Sequence, residues 1–111
     1  MVIFTIFYPY AKGKGIDMDY YLKTHLFNAK KILGKACLKS EVTKGFKEFY
    51  PNSTPFFYAT ARLYFESEEA FFAAYTEDVD NFLMDDIPNF TDITPIWQLD
   101  TVVGEEDHKN V

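Results

Sequence analysis

His25 is one of two histidines in this 111-residue chain, and its neighbours give it a chemical context. It follows Tyr21 by four residues. That spacing sets both side chains on one helix face, within the apolar stripe Met18, Tyr21, Leu22, Leu26 and Ala29. An inward-facing imidazole suits general acid–base catalysis on a phenolic or enolic proton. A phenol one turn away can hydrogen-bond a developing oxyanion. The plain alternative is a core histidine satisfied by a backbone carbonyl or a tyrosine.

Asp86 is the second candidate. If its segment folds back across the helix ends, its carboxylate orients the His25 imidazole and fixes its tautomer. Otherwise it bonds nearby backbone amides at a helix end or turn. His25, Tyr21 and Asp86 are therefore the expected catalytic set. Ala59 and Ala61 place small side chains on one face of a strand opposite His25, which leaves room for a ligand or for Phe71 or Leu26 to fill. Tyr8 and Trp97 stand near strand ends at the same rim and can bond or stack on a ligand. Arg62 is expected in a subunit interface, paired with a carboxylate. Cys37 has no histidine near it in sequence and reads as a half-buried packing residue. A phosphate-binding loop is missing, since the glycines at 13 and 15 lack the strand–loop–helix signature. No clustered His, Cys or Asp set suggests a metal, and no cofactor is called for.

The elements that position these residues follow from pattern. Val2–Tyr8 is β-branched and aromatic, a first strand ended by Pro9. Asp17 caps a helix running to Leu33, with Gly34 just past its end. Ala36–Lys47 reads as a second strand with Gly45 at a bulge, and Phe56–Phe65 as a third. In the third, alternation puts Phe57, Ala59, Ala61, Leu63 and Phe65 on one face, and Tyr58, Thr60, Arg62 and Tyr64 on the other. Ser67 caps a second helix that buries Phe71, Ala74 and Tyr75, and Thr76 caps a third reaching Leu83. Asp85–Asp92 reads as a turn-rich connection, and Thr94–Val103 as the last strand. The order βαββαβ gives an α+β, ferredoxin-like fold, with an antiparallel four-stranded sheet and helices on one face. Residues 1–103 form the domain and 104–111 a polar tail.

The bare sheet face, with twelve Phe and eight Tyr in so short a chain, predicts a homodimer that buries it. A net charge of −6 without a basic stripe argues against nucleic acid and anionic membranes. No membrane-spanning stretch appears, and a single cysteine fits a cytoplasmic setting.

Several strings then combine. Tyr8-Pro9 closes the first strand, and Asp17-x-Asp19-Tyr20-Tyr21-x-x-x-His25 opens the first helix. Leu63-Tyr64-Phe65-x-Ser67 joins the third strand to the second helix, and Asp86-Ile87-Pro88-Asn89-Phe90-Thr91 precedes the last strand. Together, across residues 1–103, they resemble the EthD family of dimeric α+β barrel proteins. That family usually reads H-x-P after the histidine. Here Phe27 stands at the third position, which predicts a straighter helix. The resemblance implies a ferredoxin-like homodimer. It also implies a cofactor-independent oxidoreductase, monooxygenase-like, or a decarboxylase acting on a small aromatic or polyketide-like compound. The alternative it leaves open is a non-catalytic dimer that binds a small hydrophobic ligand.

Overall fold

The computed structural model describes residues 1–108; the last three residues of the expected polar tail lie outside the described residues. Four strands, β1 (Val2–Pro9), β2 (Lys39–Lys44), β3 (Phe57–Phe65) and β4 (Ile96–Thr101), form one antiparallel sheet in the order β2-β3-β1-β4. The helices are α1, spanning residues 18–33, α2 (Glu68–Ala74) and α3 (Glu77–Asp86). The molecule measures 45 × 41 × 21 Å, and its thin dimension is that of one sheet plus one helix layer.

Each helix starts where a short polar side chain satisfies its free N–H groups. Asp17 accepts from the Tyr20 N–H at 3.1 Å, Ser67 from Ala70 at 3.0 Å and Thr76 from Val79 at 3.3 Å. Gly34 ends α1 with a positive φ of 60°, the conformation for which glycine is suited.

The core lies between the helices and one sheet face. Phe4 and Tyr8 of β1 and Ala59, Ala61, Leu63 and Phe65 of β3 pack against Tyr21, Leu33 and Phe71. The opposite face carries Thr5, Thr60, Arg62 and Tyr64 and is covered by no helix.

Several expectations need correction. Helix α1 is not one regular α-helix. It is built from Met18–Tyr20, a π-helical turn Tyr21–His25, and Leu26–Leu33, with the Leu26 N–H bonded to the Tyr21 carbonyl five residues back. That wider turn keeps Tyr21, His25, Ala29 and Leu33, spaced by four, on the buried side, whereas Leu22 and Ile32 turn out to solvent. The β1–β3 register shifts between Tyr8 and Pro9, so alternation in β3 fails at its start. Phe57 joins the open face, its ring 5.0 Å from that of Phe7, while Tyr58 packs into the core cluster. Gly45 follows β2 rather than bulging it. A Cβ there would overlap the Phe57 carbonyl oxygen and Pro55, so the close approach of the two chains demands glycine. The third helix extends to Asp86 and continues into a 3₁₀ turn, Ile87–Asn89, in place of an open connection.

Candidate functional site

Two helix segments create the site. The π-helical turn presents Tyr21 and His25 side by side, their rings stacked at 5.4 Å and 20°. Helix α3 ends at Asp86, and the Pro88-containing 3₁₀ turn carries the chain on to Phe90, whose ring lies 4.6 Å from His25. The loop before α1 is tied to this turn. Asp17 N–H donates to the Phe90 carbonyl at 2.9 Å, and Thr91 Oγ1 donates to the Gly15 carbonyl at 2.7 Å. These bonds fix the two segments relative to each other.

The result is a carboxylate–imidazole pair. His25 Nδ1 lies 2.9 Å from Asp86 Oδ2. Asp86 Oδ1 accepts from the Tyr20 hydroxyl at 2.6 Å and from Asn89 Nδ2 at 2.9 Å. Burial alone would raise the Asp86 carboxyl. The hydrogen bonds from Tyr20, Asn89 and His25, with the neighbouring imidazole's charge, outweigh it and hold the carboxyl below its ordinary range. Tyr20 is pushed upward, chiefly because its hydroxyl bonds the carboxylate. His25 is only 8% exposed, and its one hydrogen bond among the described residues is at Nδ1; since no buried side-chain nitrogen there lacks a partner, Nε2 faces open space. With Nδ1 donating to Asp86, the neutral ring carries its lone pair on Nε2. That nitrogen is the one available for proton transfer.

The His25 ring lines a small cavity with Phe4, Tyr8, Tyr21, Ala61 and Tyr75. Its volume is about 30 Å³, room for about two water molecules. The Tyr8 and Tyr21 rings meet edge to face at 5.6 Å. Burial raises both phenols; Tyr21 is pushed up to about 12, partly offset by a hydrogen bond from Tyr8. Both hydroxyls are therefore neutral in the physiological range; Tyr8 spends its proton on Tyr21, and Tyr21 keeps its own to donate. Met84, Ile87 and Pro95 wall the cavity and also border an outer depression of about 490 Å³ that reaches Trp97.

The residues expected at the site separate into those brought together and those left apart. His25, Tyr21, Asp86, Tyr8 and Ala61 converge. Ala59 is buried in the same core cluster but does not line the cavity, and Trp97 lies in the outer depression. Sequence reasoning missed Tyr20, Asn89 and Phe90 as partners of the pair. Tyr20 and Asn89 stand within the strings DYY and IPNF, but only the fold shows that both reach the Asp86 carboxylate. Among the described residues, no group of three or more His, Cys, Asp or Glu could hold a metal ion. Nor is any helix long and apolar enough to cross a membrane.

The architecture has counterparts among solved structures. An EthD-like protein from Ralstonia eutropha JMP134 superposes with a TM-score of 0.86 at 33% identity, covering 95% of this chain and 94% of that one. An ethyl tert-butyl ether D (EthD) family protein from Bacillus halodurans C-125 gives a TM-score of 0.57 at 19% identity, covering 96% and 99%. A DABB family protein with a ferredoxin-like fold from Mesorhizobium loti gives 0.54 at 16%, covering 93% and 97%. The latter two show the fold alone. No curated protein matches the chain. The model of the EthD domain matches residues 17–94, a span that holds every residue of the carboxylate–imidazole pair and its hydrogen-bond partners. The chain belongs to the EthD family.

Proposed function

We propose that this protein is a cofactor-independent enzyme in which His25 Nε2 removes a phenolic or enolic proton from a small aromatic or polyketide-like compound. The observation that carries the reading is the pairing of His25 Nδ1 with a carboxylate already held by Tyr20 and Asn89, while Nε2 has no partner among the described residues. A core histidine needs no such support on one nitrogen and freedom on the other. Proton removal leaves an electron-rich anion, and the neutral Tyr21 hydroxyl, which itself accepts from Tyr8, can donate to its oxygen. That anion either is oxidised by dioxygen, as in a monooxygenase-like oxidoreductase, with one oxygen atom bonding to the ring carbon and the other leaving as water, or, where the substrate carries a carboxyl group, loses carbon dioxide and takes up a proton at the vacated carbon. The body of the compound occupies the outer depression beside Trp97, since about 30 Å³ beside His25 accepts only its reacting edge. The protein works as a homodimer joined through the open sheet face, on which Arg62 of β3 and Glu41 of the adjacent β2 in the same chain lie 3.7 Å apart.

The small volume beside His25 favours a second reading, a binding dimer that holds a hydrophobic ligand without changing it. Phenolic and enolic compounds screened by chemical-shift perturbation, followed by product analysis, separate the two. The enzyme reading expects turnover that falls about 10²-fold or more in His25→Ala. Binding without conversion, or full turnover in His25→Ala, would replace it with the second reading.

A further inference from the structure

The connection between β2 and β3 carries an unusual load of exposed aromatic surface. Phe46 and Phe49 are each 82% exposed, Phe56 72% and Tyr50 64%. At about 200 Å² per aromatic side chain, these four leave roughly 600 Å² open, the upper range for the largest apolar patch on a typical monomer. Two copies supply roughly 1,200 Å², which by itself reaches the size of a stable interface.

The base of this loop is fixed. Gly45 N–H bonds the Tyr58 carbonyl at 2.9 Å, and Tyr10 N–H bonds the Phe56 carbonyl at 2.9 Å, so the aromatic segment leaves the sheet at the end where β1 finishes and β3 begins. The start of β4 lies at that same end, since Ile96 pairs with Phe7. There Trp97 stands 48% exposed in the outer depression, with Ile96 also open to solvent. The two unpartnered apolar features thus share one end of the sheet but hang from opposite edges, β2 and β4. Within one chain they are separated by the width of the sheet. When two sheets meet face to face about a two-fold axis parallel to the strands, the β2 edge of one copy lies over the β4 edge of the other. The same ends then coincide.

We propose that residues 45–56 of one copy cover the partner's outer depression beside Trp97, so that the mouth of the His25 cavity is completed in trans. A second copy is the occupant the surface favours. The loop adjoins the open sheet face through the Phe57–Phe7 ring contact, so it continues the face through which the homodimer is joined. A membrane is disfavoured by the net charge of −6. The inference rests on the homodimer reading above.

Mixing two variants tests it. One is Cys37→Ser/Phe49→Cys and the other Cys37→Ser/Thr94→Cys, where Thr94 is an exposed residue of the outer depression. Mild oxidation after subunit exchange is expected to give a covalent heterodimer as the main cross-linked product. In parallel, Trp97, the single tryptophan, reports coverage without any new cysteine. Its emission is expected to be blue-shifted and shielded from acrylamide in the wild-type dimer, and to lose several-fold of that shielding in Phe46→Ser/Phe49→Ser. A dimer by sedimentation that gives no heterodimer cross-link and leaves Trp97 fully quenchable would overturn the trans loop and leave the dimer standing. A monomer at micromolar concentration would overturn both.

Discussion

His25 Nδ1 lies 2.9 Å from Asp86 Oδ2 across 61 residues of sequence, and the same carboxylate accepts from Tyr20 and Asn89. Two side chains of α1, His25 and Tyr20, and one from the 3₁₀ turn, Asn89, therefore meet on the carboxylate at the end of α3.

Asp86→Asn should destabilise the fold at neutral pH by about 1–3 kcal/mol, because donors that bonded a carboxylate face a neutral amide. The folded Asp86 carboxyl lies below its ordinary range. Its ionised form therefore stabilises the fold above the unfolded-state value of about 4, and that contribution fades as pH falls through the folded value. Denaturant unfolding of both proteins from pH 7 to pH 3 should show their difference shrinking toward the acid end. A gap that stays constant across this range would show that the carboxylate's charge does not matter.

Tyr20→Phe removes the 2.6 Å hydrogen bond to Asp86 Oδ1 and leaves the ring beside Phe90. The Asp86 carboxyl should move up toward its ordinary range, as read by carbon-13 titration of the side-chain carboxyl. An unchanged titration would mean that Asn89 and His25 suffice to hold it.

Ala61 and Ala59 are both 1% exposed, but only Ala61 borders the cavity. Ala61→Val should be tolerated better than Ala59→Val, because part of the added volume enters existing space. Ala59→Val should cost about 1–3 kcal/mol by overpacking. Ala61→Val should also abolish ligand-induced shifts at His25. Thermal unfolding and the ligand screen together check both halves, and equal costs would mean that the cavity is not preformed.

Much of this architecture is readable from the chain, because the fold depends on local signals. Asp17, Ser67 and Thr76 cap their helices as their residue types dictate, and Gly34 ends α1. What escaped reading depends on backbone deviations. The π-helical turn at Tyr21–His25 has no composition of its own; it shows in sequence only as a four-residue spacing that a regular helix also explains. The register shift beside Pro9 exchanges the faces of Phe57 and Tyr58, although period-two alternation is intact through the rest of β3. The partners of Asp86 were hidden for a related reason. Tyr20 meets the carboxylate only once the loop before α1 is tied to the turn after α3, whereas Asn89 meets it locally, three residues on, once that segment winds into a 3₁₀ turn.

The protonation of the His25 ring can be read without a substrate. In a His108→Gln background, which leaves one histidine, nitrogen-15 NMR at pH 8.5 reports which ring nitrogen of His25 carries the proton, well above the ordinary imidazole range. A base oriented by Asp86 should hold its proton on Nδ1 and present a bare Nε2, and Asp86→Asn should weaken that preference. A wild-type ring protonated on Nε2 would contradict the assignment of Nε2 as the base and return His25 to the core.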